Sequence, residues 1–485
     1  MRPNIVTMAL SFPVLAGSAP TARPSERIEA RIARVTSGLL ADTGFEGVYA
    51  PPARLEDRMA YYHTPGVSVA VVDEGRLEWA RGFGRRDVRD GRPVTERTPF
   101  QAGSISKPIF ALAVLRLVEE GRLELDEDVN AYLKSWKVPP NRSWQPRVTL
   151  RQLLSHSAGL TVHGFPGYAA GERIPTVVEV LRGASPANTP PVLVNIVPGL
   201  QFRYSGGGTT VAQLALTDVL GQGFPTAMRS LVLDRVGMSD STYEQPLPAG
   251  RAREAATAHP WKGHPLPGRF HVYPEMAAAG LWTTAADLAR AGIALQQALS
   301  GTEGALLSRS TAEEMLTPSP AGGGVGLGFF LEGEGEGMRF GHDGWDEGFV
   351  ASMTFYRSGG KGAVVMVNSN EGHPLLREIL RAVAKEYAWP GYFKEPSPRP
   401  ALDTPTLSAL TGTFSSKTKE AQVVLRDGAL HLSVGEQPPL LLIPRSLTAF
   451  KAEGVDAEVA FEIKDGKAQL LTLKQGGSSL VFERK

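Results

Sequence analysis

Three features of the 485-residue chain predict a mixed α/β (α+β) fold, an antiparallel sheet flanked by helices with a mostly helical subdomain and a small antiparallel β-barrel behind it. Residues 66–72 and 76–84 are runs rich in β-branched and apolar residues joined at Asp73-Glu74-Gly75, a hairpin turn. Strand patterns return at 326–331, 338–341, 349–356 and 362–368, after a long stretch (130–268) broken by Pro139-Pro140, Pro190-Pro191 and Pro198-Gly199 into short helices and loops. Beyond a proline-rich linker the composition shifts to short alternating strands.

Residues 25–40 carry Ile28, Ile32, Val35, Leu39 and Leu40 at helical spacing. A second helix opens at Ser104 and runs to Gly121, apolar around most of its circumference, which predicts a central, buried position. A last helix at 374–387 turns Leu376, Ile379, Leu380 and Val383 back onto the sheet. In the C-terminal part, strands at 422–425, 430–434, 440–443, 457–463, 469–474 and 480–483, with Asp427-Gly428 and Asp465-Gly466 turns, predict the barrel or meander. The division expected is a leader at 1–24, a large domain at 25–393, a linker at 394–406 and the β module at 407–485. The module is small enough that a docking face against the larger domain or another subunit is expected. The glycines of 322–328 lack the spacing of a nucleotide-binding loop and read as a hairpin region.

With 51 basic and 50 acidic residues the net charge is +1, so no long-range field recruits nucleic acid or an anionic membrane. The chain has no cysteine, which removes disulfides, thiolate catalysis and Cys-based zinc sites; nine histidines form no His-Glu-x-x-His array, and neither a metal nor another cofactor is expected. Arg2, the apolar run 5–16 and Gly17-Ser18-Ala19 resemble a short signal peptide, which implies a periplasmic or secreted protein, with a cytoplasmic one as the alternative. No segment reaches the roughly 20 apolar residues of a membrane-spanning helix.

The chemistry is announced by Ser104-Ile105-Ser106-Lys107. The first turn of a helix brings i and i+3 onto one face, so the Lys107 amine can reach the Ser104 hydroxyl and take its proton if burial keeps it neutral. Alone, the tetrad also fits a capping serine beside a solvated lysine. Two further motifs change that balance: Phe202-Arg203-Tyr204-Ser205-Gly206-Gly207-Gly208 and Phe340-Gly341-His342-Asp343-Gly344-Trp345. In this order the three resemble the active-site set of the serine penicillin-recognising enzymes: Ser-x-x-Lys, then Tyr-x-Asn, then Lys-Thr-Gly or its His-x-Gly variant. The branch is that of class C β-lactamases, D-aminopeptidases and family VIII-type esterases; Leu153 to Leu160 and Met276 to Leu288 are similar to its framing segments. The likeness covers 56–389, implies a β-lactamase/transpeptidase-like fold, and extends to a lipocalin-like C-terminal module.

The resemblance implies Ser104 as acylated nucleophile, Lys107 and Tyr204 as a coupled acid/base pair, and His342 as orienting group in place of lysine. It also implies an oxyanion hole from the Ser104 amide and an amide on the strand of His342 and Gly344. Gly206 stands where many members have asparagine, so no side-chain amide is available for a substrate carbonyl, which weighs against efficient β-lactam hydrolysis. An imidazole instead of a permanent cation weakens carboxylate recognition at neutral pH, against a dedicated D,D-carboxypeptidase. Gly206, Gly344 and Trp345 are the substrate-side candidates; Phe165, Tyr168 and Trp282 are aromatic candidates for the acyl pocket, although aromatics more often fill cores. His156 reads as a loop-fixing hydrogen bonder. The expected activity is a serine hydrolase acting on small-molecule esters, amides or peptides. The alternatives are a D-aminopeptidase, D,D-peptidase or weak β-lactamase, and, in another class, a non-catalytic penicillin-sensing or self-assembling scaffold; a homo-oligomer is among the partners expected.

Overall fold

The computed structural model describes residues 24–43, 49–393, 402–416, 419–453, 455, 457–475 and 478–485. All but the last residue of the expected leader (1–24) and most of the expected linker (394–406) lie outside the described residues. No helix among the described residues is long and apolar enough to cross a membrane.

Six antiparallel strands form the main sheet, in the order Arg76–Gly84, Gly66–Asp73, Gly362–Val367, Phe349–Tyr356, Arg339–Asp346, Phe330–Glu332. The hairpin closes at Asp73↔Arg76, as its turn residues dictate. Gly66–Asp73 and Gly362–Val367 are buried on both faces, which explains their almost unbroken apolar sequence. The period of two still sorts them. Val67, Val69 and Val71 pack with Ile32, Val35, Leu376 and Ile379 of the helices Pro24–Ser37 and His373–Glu386, whereas Ala70 and Val72 face the core that holds the helix Ser106–Glu119. On that second face the helix Ala285–Ser300 comes close because Gly292 has no side chain: a Cβ there would stand 2.3 Å from the Phe355 ring.

The strand expected at 326–331 is confined to Phe330–Glu332. The amides before it are committed elsewhere, Leu327 to the Met315 carbonyl and Gly328 to that of Leu154. Conversely, the strand expected at 338–341 continues as Arg339–Asp346, in register from Arg339↔Tyr356 to Asp346↔Phe349. His342, Asp343 and Gly344 are poor strand formers, and cross-strand pairing carries the chain through them.

Between the sheet strands lies the helical lobe. Two short helices, Leu150–Leu154 and Val177–Arg182, start with full capping boxes, Thr149 with Gln152 and Thr176 with Glu179. One helix there is longer than expected: Gly206–Leu220 begins on three glycines, with Ser205 Oγ accepting from the Gly208 amide at 2.9 Å.

The C-terminal part is a closed barrel of eight strands, not six. Gly412–Ser415 and Ala449–Ala452, too short to register as alternating patterns, supply the missing pairings, and Gly412–Ser415 closes the ring between Glu420–Arg426 and Ser478–Arg484. A helix, Thr404–Leu410, precedes it across the end of the predicted linker and the start of the β module: Asp403 caps the Thr406 amide at 2.9 Å, Pro405 sits in the first turn, and Leu407 and Leu410 fill the barrel core. The barrel core shares no residue with the two sheet cores. A chain ending at residue 393 is therefore expected to retain its helical circular dichroism and hydrolyse a small ester within about tenfold of the full chain, the loss appearing in solubility.

Candidate active site

The nucleophile turn is built by two chain segments far apart in sequence. Phe100–Gln101 pairs with Trp282–Thr283, and the Ala102 amide donates to the Leu281 carbonyl at 2.9 Å. Gly103 then takes φ +51°, a left-handed conformation that favours glycine. The turn Gly103–Ile105 is a 3₁₀ turn rather than the first turn of the α-helix, which starts at Ser106. Ser106 locks the junction, its hydroxyl donating to the Gly103 carbonyl at 2.6 Å and accepting from the Leu281 amide at 3.0 Å.

In that frame Lys107 is 4% exposed, and its Nζ donates 2.9 Å to Ser104 Oγ and 2.8 Å to the Ala278 carbonyl. The carbonyl belongs to the turn Met276–Ala279, which Gln213 of Gly206–Leu220 holds from the other side by accepting from the Ala277 amide at 2.7 Å. One acceptor fixes the amine while the other is the hydroxyl it would deprotonate.

Tyr204 packs beside this pair, with Lys107 Nζ 5.0 Å from its ring centroid. His156 brackets it: the Arg203 amide donates to the His156 carbonyl at 2.7 Å and the Ser205 amide to His156 Nδ1 at 3.2 Å. The imidazole also packs on the phenol ring at 4.3 Å. Complete burial, then the nearby Lys107, hold His156 well below the usual histidine range, so Nδ1 stays an acceptor. The loop-fixing role read from the sequence is thus the observed one. His163 at 4.8 Å and Phe330, stacked at 6.3 Å, complete the packing around Tyr204.

His342 is buried on the edge-side strand Arg339–Asp346, with its ring 6.2 Å from that of Tyr204. Burial and the charge of Lys107 push its pKa down to about 4, against a smaller opposing effect from the Asp343 carbonyl that Nδ1 contacts. It is neutral at pH 7. This strand lies directly on the nucleophile turn: a Cβ on Gly103 would stand 2.4 Å from the Trp345 amide nitrogen, and one on Gly344 1.8 Å from the Ala102 carbonyl oxygen. Both positions demand glycine, and their contact sets the Trp345 amide beside the Ser104 turn.

A cavity of about 540 Å³ opens over Ser104, with Tyr204, His342, Gly344 and Trp345 in its lining. Six of the seven residues singled out in the sequence thus converge, since Lys107 lies behind Ser104. Gly206 is the exception. It is buried, and its Cβ position faces Phe165 at 3.0 Å and the His163 carbonyl at 3.1 Å, so it is not part of the cavity lining. Of the aromatic candidates only Trp345 lines the cavity: Tyr168 is in the core with its hydroxyl accepting from the Asn188 amide, Trp282 packs between Phe270 and Phe349, and Phe165 covers Gly206. His163, Phe330, His373 and Arg377, which the sequence reading did not single out, belong to the lining. Arg377 is paired with Asp343 at the rim, and Trp345 is held by its indole N–H donating to Asn370 Oδ1 at 3.0 Å, its ring stacked on His373.

Comparison with known proteins agrees with this architecture. A profile of the Beta-lactamase family matches residues 53–388. The chain is 29% identical to Esterase EstB of Burkholderia gladioli over 259 residues, 47% of this chain and 64% of that esterase. It is 23% identical to Penicillin-binding protein 4* of Bacillus subtilis (strain 168) over 445 residues, 85% of this chain and 93% of that protein. Among solved structures, the octameric penicillin-binding protein homologue from Pyrococcus abyssi superposes with a TM-score of 0.60 at 23% identity, covering 88% of this chain and 98% of that one. SurE, solved with D-Leu, gives a TM-score of 0.59 at 24% identity over 95% of this chain and 100% of its own. These two likenesses are of fold. The family profile spans most of the chain and contains the Ser104 turn, Tyr204 and the His342 strand, and on that ground the chain belongs to the Beta-lactamase family.

Proposed function

We propose that the protein is a serine hydrolase that forms an acyl-enzyme on small esters, with amides or peptides as slower substrates. The observation that carries this is the 2.9 Å approach of a buried Lys107 amine to a Ser104 hydroxyl at the floor of an open cavity. In the reacting form the neutral amine accepts the Ser104 proton as Oγ attacks the carbonyl carbon, and Tyr204 shares the proton on its way to the leaving oxygen. The Ser104 and Trp345 amides receive the developing oxyanion. Water then repeats the sequence on the acyl-enzyme.

Three features favour neutral esters over D,D-peptides and β-lactams. His342 is uncharged, Arg377 has its charge engaged by Asp343, and no side-chain amide projects from position 206. An anionic substrate group finds little compensation for its lost hydration there. The likeness to Esterase EstB supports the ester reading. The rival from another class, a scaffold that retains the motifs, is separated by one assay, burst release of p-nitrophenol from an activated ester.

Ser104→Ala is expected to lower ester turnover by at least about 10³-fold without unfolding the protein, and a fluorophosphonate to add once per chain, on Ser104, by intact mass. Residual turnover above a few per cent removes the nucleophile assignment.

Lys107→Ala and Tyr204→Phe are each expected to cost about 10² to 10⁴ in kcat/KM, and the double variant no more than about tenfold beyond the worse single one. Multiplying losses would mean that the two groups act independently.

Across a substrate panel, kcat/KM for p-nitrophenyl esters should exceed that for nitrocefin by about 10³ or more, a gap that one missing polar partner and one missing charge can produce together. Comparable values would place the protein among the β-lactamases by activity.

A further inference from the structure

Two buried carboxyl groups stand behind the nucleophile turn, and the acylation chemistry uses neither. Asp346 directly follows Trp345, whose backbone is pressed on Gly103, and is 3% exposed. Glu275 precedes the turn Met276–Ala279 whose Ala278 carbonyl holds Lys107, and is fully buried. Among the described residues none of the four carboxyl oxygens has a hydrogen-bond partner; the Gly103 amide faces Asp346 and the backbone of Glu275 faces its own carboxyl, each short of a hydrogen bond. Such groups cannot be retained as anions at ordinary cost, because an uncompensated buried carboxylate neutralises instead. The charged and titratable groups around the pair are Lys107 from the nucleophile helix, Tyr273 and Tyr168 beside Glu275, and Glu347 next in the chain; His342, His156 and His163 face Lys107 from the other side.

We propose that Asp346 and Glu275 form an uncharged acid pair packed behind the Ser104 turn, and that its ionisation sets the alkaline limit of activity. The inference rests on the serine hydrolase reading above. Burial lifts Glu275 to about 8 and Asp346 well above the usual carboxylate range, where Lys107 pulls in the opposite direction and Glu275 adds to the rise. Loss of a proton to solvent leaves a negative charge behind the amides that receive the oxyanion. That charge opposes the negative charge developing on the substrate oxygen as Ser104 attacks, and acylation slows. With both acids protonated the site carries no such opposing charge.

The test is the pH profile of kcat/KM on a neutral p-nitrophenyl ester from pH 6 to 10, for wild type, Glu275→Gln, Asp346→Asn and the double variant. The amides keep the shape of the neutral acids but cannot ionise. The double variant should stay within about threefold of wild type at pH 7, and at pH 9.5 should exceed it by about tenfold or more, the effect of removing one nearby charge at an effective dielectric of about 20. A double variant that follows the wild-type alkaline fall overturns the proposal. So does an acid limb displaced to lower pH, which would mean that the carboxylates act as counter-ions of Lys107. Wild-type protein supplies an arm independent of variant folding: its infrared spectrum should contain a protonated-carboxyl carbonyl band at pH 7 that is lost by pH 10, and absence of that band at pH 7 is equally fatal. Ser104→Ala serves as control, since turnover surviving in it removes the hydrolase reading itself whatever the alkaline limb does.

Discussion

The structure turns on a lysine amine removed from water and given two oxygen partners, Ser104 Oγ and the Ala278 carbonyl. A hydrated ammonium on a flexible stem would be useless as a base, being protonated and mobile. Burial in the first turn of an all-round apolar helix removes the mobility, and the carbonyl fixes the remaining direction. Much of the surrounding architecture secures that carbonyl and that helix. Gln213 reaches across to the Ala277 amide, Ser106 ties the helix start to Leu281, and the Tyr243 hydroxyl donates to the Ser106 carbonyl. The helical lobe and the sheet domain thus meet at the site through hydrogen bonds that orient the catalytic pair.

The second constraint is electrostatic. Lys107 is surrounded by three histidines, each held below its ordinary pKa mainly by burial and partly by the lysine itself. Polar aromatic rings fill the space without adding positive charge. Around Tyr204 they also pack on the phenol ring from three sides of the site.

Sequence carried the fold class and the ordered motifs because both depend on local signals: the hairpin turn, the apolar helix behind Ser104, the i to i+3 spacing. Errors arose where the decisive partner is distant. Residues 326–329 look like strand, but Leu327 and Gly328 give their amides to Met315 and Leu154, and the strand through His342 looks finished at Gly341 but is held by Phe349–Tyr356. The barrel's two extra strands have too few residues to show a pattern, and the capped helix at Asp403 was hidden under its prolines. In the site, Ser104, Lys107, Tyr204 and His342 were legible as motif residues, whereas the Ala278 carbonyl, His163 and Phe330 carry no motif. Gly206 was misplaced because its role is steric, under Phe165, and the direction of a missing side chain is not written in sequence.

The contact of Gly103 with the strand around Gly344 also governs when the proposed site takes shape. One half of the site lies in the first quarter of the chain, the other in the last third, and neither glycine has any functional geometry until the opposite backbone arrives. Contacts so distant in sequence form late, after the cost of closing the intervening chain has been met by other packing. During synthesis the Ser104 segment therefore emerges as an ordinary serine beside a solvated lysine, and the geometry of the proposed site is reached only when the sheet is completed. A nascent or partly unfolded chain therefore lacks the geometry of the proposed site, and loss of the strand Arg339–Asp346 alone would dismantle it.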